Sequence, residues 1–85
     1  MKSFQYTIKD PVGIHARPAG LLAKKAKEFQ SEILIEKGEK RANATKLMAV
    51  MGLCIKCGDR ITVTVEGDDE EVAAKELEQF FEGNF

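Results

Sequence analysis

The 85 residues include no tryptophan, one tyrosine, two prolines and a single histidine, and 13 basic residues stand against 14 acidic ones for a net charge of −1. Each scarcity removes a class of function. A near-zero net charge provides no global field for DNA, RNA or an anionic membrane, so no nucleic-acid partner is expected and any electrostatic preference must be local. No apolar run approaches the roughly 20 residues that span a bilayer, which argues against membrane insertion. Met1-Lys2-Ser3-Phe4 leads into patterned sequence without a signal-peptide apolar region, so the expected location is cytoplasmic. Cys54 and Cys57 are too close in sequence to close a large loop, and a reducing cytoplasm keeps them as thiols. No structural disulfide is expected.

What remains is ordinary globular sequence. So short a chain buries only about 60% of its unfolded surface, too little to divide between two cores, and a single domain over residues 1–85 is expected. Phe4, Tyr6 and Ile8 alternate with Ser3, Gln5, Thr7 and Lys9, the period of a half-buried strand, and Asp10-Pro11-Val12-Gly13 breaks it. From Ala16 the pattern becomes helical. Pro18, Leu22, Ala26 and Phe29 form an apolar stripe, leaving Arg17, Gly20, Lys24 and Lys27 on another face. Ser31 to Lys37 and Lys40 to Ala44 flank Gly38-Glu39 and read as a hairpin. Leu47, Met48, Val50, Met51 and Leu53 read as a short second helix, with Thr45 or Asn43 as its cap. Ile61, Val63 and Val65 alternate with Thr62 and Thr64 in the clearest strand of the four. Gly67-Asp68-Asp69 ends that strand. A last helix begins near Asp69 or Glu70, buries Ala73, Leu77, Phe80 and Phe81, and stops at Gly83. The order β-α-β-β-α-β-α suits an α+β open-faced sandwich: a four-stranded antiparallel sheet with three helices on one face.

The one histidine lies where chemistry converges. In Gly13-Ile14-His15-Ala16-Arg17-Pro18-Ala19 it opens a helix, and the first-turn N–H groups, lacking intrahelical partners, form with the helix dipole a ready phosphate site. Arg17 adds a fixed charge and a forked set of donors. Pro18 gives up no needed hydrogen bond there and fixes the angle that launches the helix. A nucleophilic imidazole must offer a lone pair, and positive surroundings disfavour its second proton. The blander alternative is a surface or capping histidine.

This segment resembles the active-site signature of the HPr family, the histidine-containing phosphocarriers of the phosphoenolpyruvate-dependent sugar phosphotransferase system. The apolar stretch Leu47-Met48-Ala49-Val50-Met51-Gly52-Leu53, the Gly58-Asp59 turn and the overall length extend the resemblance to nearly the whole chain. It implies that enzyme I charges His15 on Nδ1, with Ala16 and Arg17 as phosphate contacts, and that sugar-specific enzyme IIA domains discharge it. The chain would then be a relay co-substrate more than an independent enzyme, working as a monomer without cofactor or metal. No Gly-rich nucleotide loop or acidic metal cluster points to kinase chemistry of its own. A regulatory or nitrogen-related paralogue shares the chemistry with different acceptors, and a noncatalytic interaction module is the alternative from another class.

The remaining candidates are weighed against structural roles. Gly20, Lys24, Lys27, Lys46, Leu47, Met48 and Met51 are expected to form a partner-docking patch, because so small a domain cannot bury both faces of the short helix, with a plain core role for Met48 and Met51 as the equal alternative. Many family members of the low-GC Gram-positive type carry a regulatory serine where this chain has Lys46, which has no hydroxyl. Cys54-Ile55-Lys56-Cys57 matches C-x-x-C, but a thioredoxin-like redox pair opens a helix after a strand whereas this one follows a short helix, and a zinc site lacks its second ligand pair, so Cys54 is assigned to the core and Cys57 to a turn. Asp68-Asp69-Glu70-Glu71 lacks the spaced ligands of a calcium loop and is read as a solvated helix start.

Overall fold

The computed structural model describes residues 1–85. Segments whose side chains alternate between the two faces of a sheet form four strands: β1 (Lys2–Thr7), β2 (Glu32–Lys37), β3 (Lys40–Asn43) and β4 (Arg60–Glu66). They assemble antiparallel in the order β1-β4-β2-β3. Register places the apolar positions of neighbouring strands side by side, with Phe4 opposite Val63 and Val63 opposite Ile35. Tyr6 lies opposite Ile61, Val65 opposite Ile33, and Ile35 opposite Ala42. One-residue slippage would turn each of these side chains to the other face, so burial fixes the pairing.

Three helices complete the chain: α1 (Ala16–Ala26), α2 (Leu47–Met51) and α3 (Glu70–Asn84). Helix α1 packs against both other helices, α3 lies over β1 and β4, and α2 meets β3. Because β1 and β3 are opposite edges of the sheet, α2 and α3 occupy opposite flanks. Leu22, Ala26, Leu77 and Phe81 join Ile33, Ile35, Ile61, Val63 and Val65 in one core. Full burial of a Leu, Ile, Val or Phe side chain contributes about 1.5–3 kcal/mol. Phe81 is central: its ring meets those of Phe4, Tyr6, Phe80 and Phe85 at centroid separations of 5.2–6.4 Å. No helix is long and apolar enough to cross a membrane.

The architecture matches the sequence expectation, while several local readings are corrected. Helix α1 ends at Ala26, and Phe29 falls in the following turn, half-buried beneath the Lys25 ammonium at 5.6 Å. Helix α3 continues through Gly83 to Asn84. The buried Phe85 ring and the Phe85 N–H donating to Phe81 O at 2.8 Å hold the helix past that glycine. Phe80 is half-buried rather than buried.

The acidic start of α3 is more than a solvated end. The Asp69 carboxylate accepts hydrogen bonds from Gln30 N–H at 2.8 Å, Ser31 N–H at 3.0 Å and the Ser31 hydroxyl. It makes no side-chain bond to its own helix. Gly67 lies so close that a Cβ there would stand 2.6 Å from Ser31 Cα. Together these contacts tie the α1–β2 turn to the β4–α3 turn, joining segments nearly half the chain apart.

The Ser31 hydroxyl, followed by the Gln30 and Ser31 N–H groups, holds the Asp69 carboxyl below the usual carboxylate range. A carboxyl with a lower pKa folded than unfolded stabilises above its unfolded value of about 3.9, and that stability is lost as pH falls through the folded value. Asp69→Asn is therefore expected to lower the urea midpoint at pH 7. The gap from the parent protein should narrow as the pH falls below the unfolded value and through the lower folded one, where the parent carboxyl takes up its proton. An unchanged gap across that range would show that the charge of Asp69 does not stabilise the fold.

Candidate functional site

The approach to His15 is built from backbone. Asp10 Oδ1 accepts Val12 N–H at 2.8 Å and Asp10 O accepts Gly13 N–H at 2.9 Å, turning the chain after Pro11. Gly13 has φ +80, and a Cβ on it would lie 2.5 Å from Ile55 O and 2.7 Å from Lys56 Cα. Only glycine permits both the left-handed backbone and the approach. The next residue exploits that closeness: Ile14 N–H donates to Ile55 O at 3.1 Å while its side chain is buried. His15 thus leaves a fixed backbone with its own extended geometry, φ −126 and ψ 178.

His15 occupies the N-cap position of α1, and its imidazole makes no capping hydrogen bond. Its carbonyl oxygen accepts Ala19 N–H at 2.9 Å. The N–H groups of Ala16 and Arg17 find no acceptor in the protein, and Pro18 has none to offer. Ala16 and Arg17 are exposed, and His15 and Pro18 half-buried. No acidic residue stands in the first turn to occupy the positive helix end. The result is an uncommitted ring beside two uncommitted donors at the positive end of an eleven-residue helix.

Farther along α1, from Gly20 onward, that helix and α2 enclose a shallow groove lined by Gly20, Ala23, Lys24, Lys27, Thr45, Lys46, Leu47, Met48 and Ala49. Met48 is 79% exposed and Leu47 36%, whereas Val50 on the same short helix is buried. Arg17, Lys24, Lys27 and Lys46 form no ion pair. Lys25, one residue from Lys24, is instead bound to Glu28 and Glu76 at 3.5 and 2.9 Å. The groove therefore presents apolar side chains within uncompensated positive charge.

Most residues singled out from the sequence come together here. Met51 departs from that group, being half-buried against the core and outside the groove lining. The cap assigned to Thr45 or Asn43 is corrected as well. Asn43 Oδ1 is engaged by Thr45 N–H at 2.9 Å and Thr45 Oγ1 at 2.7 Å, so α2 begins after Lys46 with no side-chain cap. Asn43 closes a turn before the helix and does not reach its first N–H groups. The two readings of the cysteines also diverge. Cys57 lies in a turn as expected, but Cys54 is exposed at φ +53 and is not a core residue. The chain must reverse after α2 so that buried Leu53 and Ile55 can both face inward, and that reversal turns Cys54 outward. No three His, Cys, Asp or Glu side chains gather as a metal site.

Sequence reasoning missed the part played by Ile55. Gly13 marks a break, yet nothing local shows which distant peptide it touches. Asp59 likewise reads, in the sequence, only as part of a turn. Its carboxylate accepts Lys56 N–H at 2.8 Å and pairs with Lys37 at 3.0 Å. The Lys56 bond, then that of Lys37, holds its carboxyl below the usual range and steadies the segment on which Gly13 rests.

The profile of the HPr family, described as the PTS HPr component phosphorylation site, matches residues 2–83. The phosphocarrier protein HPr of Lysinibacillus sphaericus is 48% identical over 77 residues, covering 91% of this chain and 88% of the relative. The HPr-like protein Crh of Halalkalibacterium halodurans is 44% identical, covering 92% and 93%. The crystal structure of HPr-C-His from Thermoanaerobacter tengcongensis superposes with a TM-score of 0.93 at 41% identity, covering all of this chain and 96% of that one. Resemblance extends from the His15 segment through every strand and helix, and the chain belongs to the HPr family of phosphotransferase-system phosphocarriers.

Proposed function

We propose that His15 accepts a phosphoryl group from phosphorylated enzyme I in the cytoplasm and passes it to sugar-specific enzyme IIA domains. The observation that carries this reading is the uncommitted imidazole at the N-cap of α1, beside the unfilled N–H groups of Ala16 and Arg17. In the transfer, a ring nitrogen of His15, Nδ1 by family resemblance, forms a bond to phosphorus as the bond to the donor breaks. The transferring oxygens carry negative charge, which the two N–H groups and the Arg17 guanidinium meet in place of water. A relay also has to release its load. Two N–H groups and one arginine, open to solvent, bind the phosphoryl group without enclosing it, so an acceptor can approach the same phosphorus.

Docking falls to the groove between α1 and α2. Leu47 and Met48 supply its apolar centre, and Arg17, Lys24, Lys27 and Lys46 the surrounding charge, a pattern that fits a partner acidic around an apolar patch. Gly20 leaves the floor open, with nothing within 4 Å of where its Cβ would be. Met51 supports α2 from the core side. Lys46 precedes α2 and offers no hydroxyl, while the neighbouring Thr45 hydroxyl is engaged by Asn43. We therefore expect this protein to escape the serine phosphorylation found in relatives of the low-GC Gram-positive type.

Incubation with enzyme I, magnesium and phosphoenolpyruvate should add one phosphoryl group to the intact mass, labile in acid and stable in base as a phosphoramidate. His15→Ala should remain uncharged, and normal charging of that variant would refute the proposal. Met48→Glu should slow transfer more than Lys2→Glu, whose weak pair with Glu71 lies on the α3 flank. Equal effects would place the interface elsewhere. Lys46→Glu should slow charging most at low salt, the difference shrinking as the screening length falls from about 30 Å at 0.01 M to about 8 Å at 0.15 M. A salt-independent effect would remove Lys46 from the electrostatic surface.

A further inference from the structure

Two thiols flank the peptide on which the His15 loop is seated. Ile55 is 3% exposed, and its carbonyl oxygen holds Ile14 N–H. Cys54 precedes it and Cys57 follows two residues later, both exposed and unbonded to each other. The rest of this segment is fastened to the same loop, since Gly58 N–H donates to Ile8 O at 2.7 Å and Cys57 Sγ lies 3.8 Å from Lys9 O. On the other side Cys54 O accepts Lys37 Nζ at 2.7 Å. Residues 54–58 are therefore the base for residues 8–14.

Neither thiol has a packing role there. Cys54 is the only non-glycine residue with positive φ, a position that asparagine or glycine occupies with less strain. We propose that Cys54 and Cys57 are a reversible redox latch, and that joining them as a disulfide withdraws the Ile55 carbonyl from Ile14 and unseats His15. The functional consequence rests on the reading of His15 as the phosphoryl acceptor. Forming the bond requires the two sulfurs to approach to about 2.05 Å with Cα atoms within about 7 Å. In the reduced chain the thiols have different neighbours: Cys57 faces Lys9 O, and Cys54 lines a pocket with Lys37, Glu39, Lys40, Asp59 and Arg60. Closure takes Cys57 off Lys9 and folds the Ile55–Lys56 peptide into a tight turn.

The oxidant is a small-molecule disulfide. One protein thiolate attacks it to form a mixed disulfide and release one thiol; the second thiolate then displaces the other. Two protein thiols give up two electrons and two protons, and one disulfide becomes two thiols. A small-molecule dithiol reverses the change.

The test treats the full-length protein with oxidised glutathione, then measures intact mass, Ile14 amide exchange and charging by enzyme I. The latch predicts a monomer lighter by two hydrogen atoms, faster Ile14 exchange and charging slowed roughly tenfold or more, as displacement of a reacting group entails. Dithiothreitol should restore all three. Cys54→Ser and Cys57→Ser, each assayed alone, should charge at the reduced rate with or without oxidised glutathione. A stable glutathione adduct, an intermolecular dimer, or an internal disulfide that leaves Ile14 exchange and charging unchanged would each overturn the latch. Failure of the reduced protein to charge at His15 would instead refute the phosphoacceptor reading, while Ile14 exchange would still decide whether the loop is unseated.

Discussion

At Gly13 a hydrogen atom stands where any other residue would place a carbon 2.5 Å from the Ile55 carbonyl oxygen. Two chain segments distant in sequence meet there, and the Ile14 hydrogen bond to Ile55 depends on that approach. The contact sets the course of the chain beyond it. With Ile14 buried and its N–H satisfied, His15 begins α1 from a defined direction, and the unfilled N–H groups of Ala16 and Arg17 lie beside its ring. The sheet and helices supply stability, while this contact converts stability into placement.

The base of that contact is secured from several directions. Lys37 reaches from the end of β2 to both Cys54 O and Asp59, and Asp59 in turn holds Lys56 N–H. At the other end of the loop, Lys9 and Asp10 N–H groups donate to Phe85 O at 2.6 and 2.8 Å. Phe85 is itself fixed by its ring against Phe81, the residue around which the aromatic part of the core is arranged. A phosphocarrier has to present one side chain to different proteins, and a backbone pinned at both ends of the loop keeps that side chain in register without enclosing it.

What could be read from sequence alone depends on the range of the interactions. Ile61, Val63 and Val65 disclose a strand because alternation is local, and Leu22 with Ala26 disclose a helix for the same reason. His15 stands out as a candidate in the sequence because Arg17 and Pro18 stand beside it. Asp69 was not, because its partners Gln30 and Ser31 become neighbours only after α1 and the sheet have packed. The outward position of Cys54 was hidden likewise: C-x-x-C states a spacing, whereas exposure depends on how Leu53 and Ile55 enter the core. Gly83 misled for the converse reason, since a local helix breaker yielded to the burial of Phe85.

The separation of α2 and α3 onto opposite flanks of the sheet bears on how this molecule meets others before any contact is made. Helix α3 carries Glu70, Glu71, Glu76, Glu78 and Glu82, of which the first three are met by the Met1 ammonium, Lys2 and Lys25, while the groove side carries Arg17, Lys24, Lys27 and Lys46 without carboxylate partners. A chain nearly neutral by count thus carries a local cluster of unpaired positive charge on a body whose longest dimension is 33 Å. That length exceeds the roughly 8 Å over which charge is felt at physiological salt, so a surface approaching the groove senses its lysines and not the carboxylates on the far side. On the docking proposed above, that local field would turn the groove toward an acidic partner before the two surfaces touch.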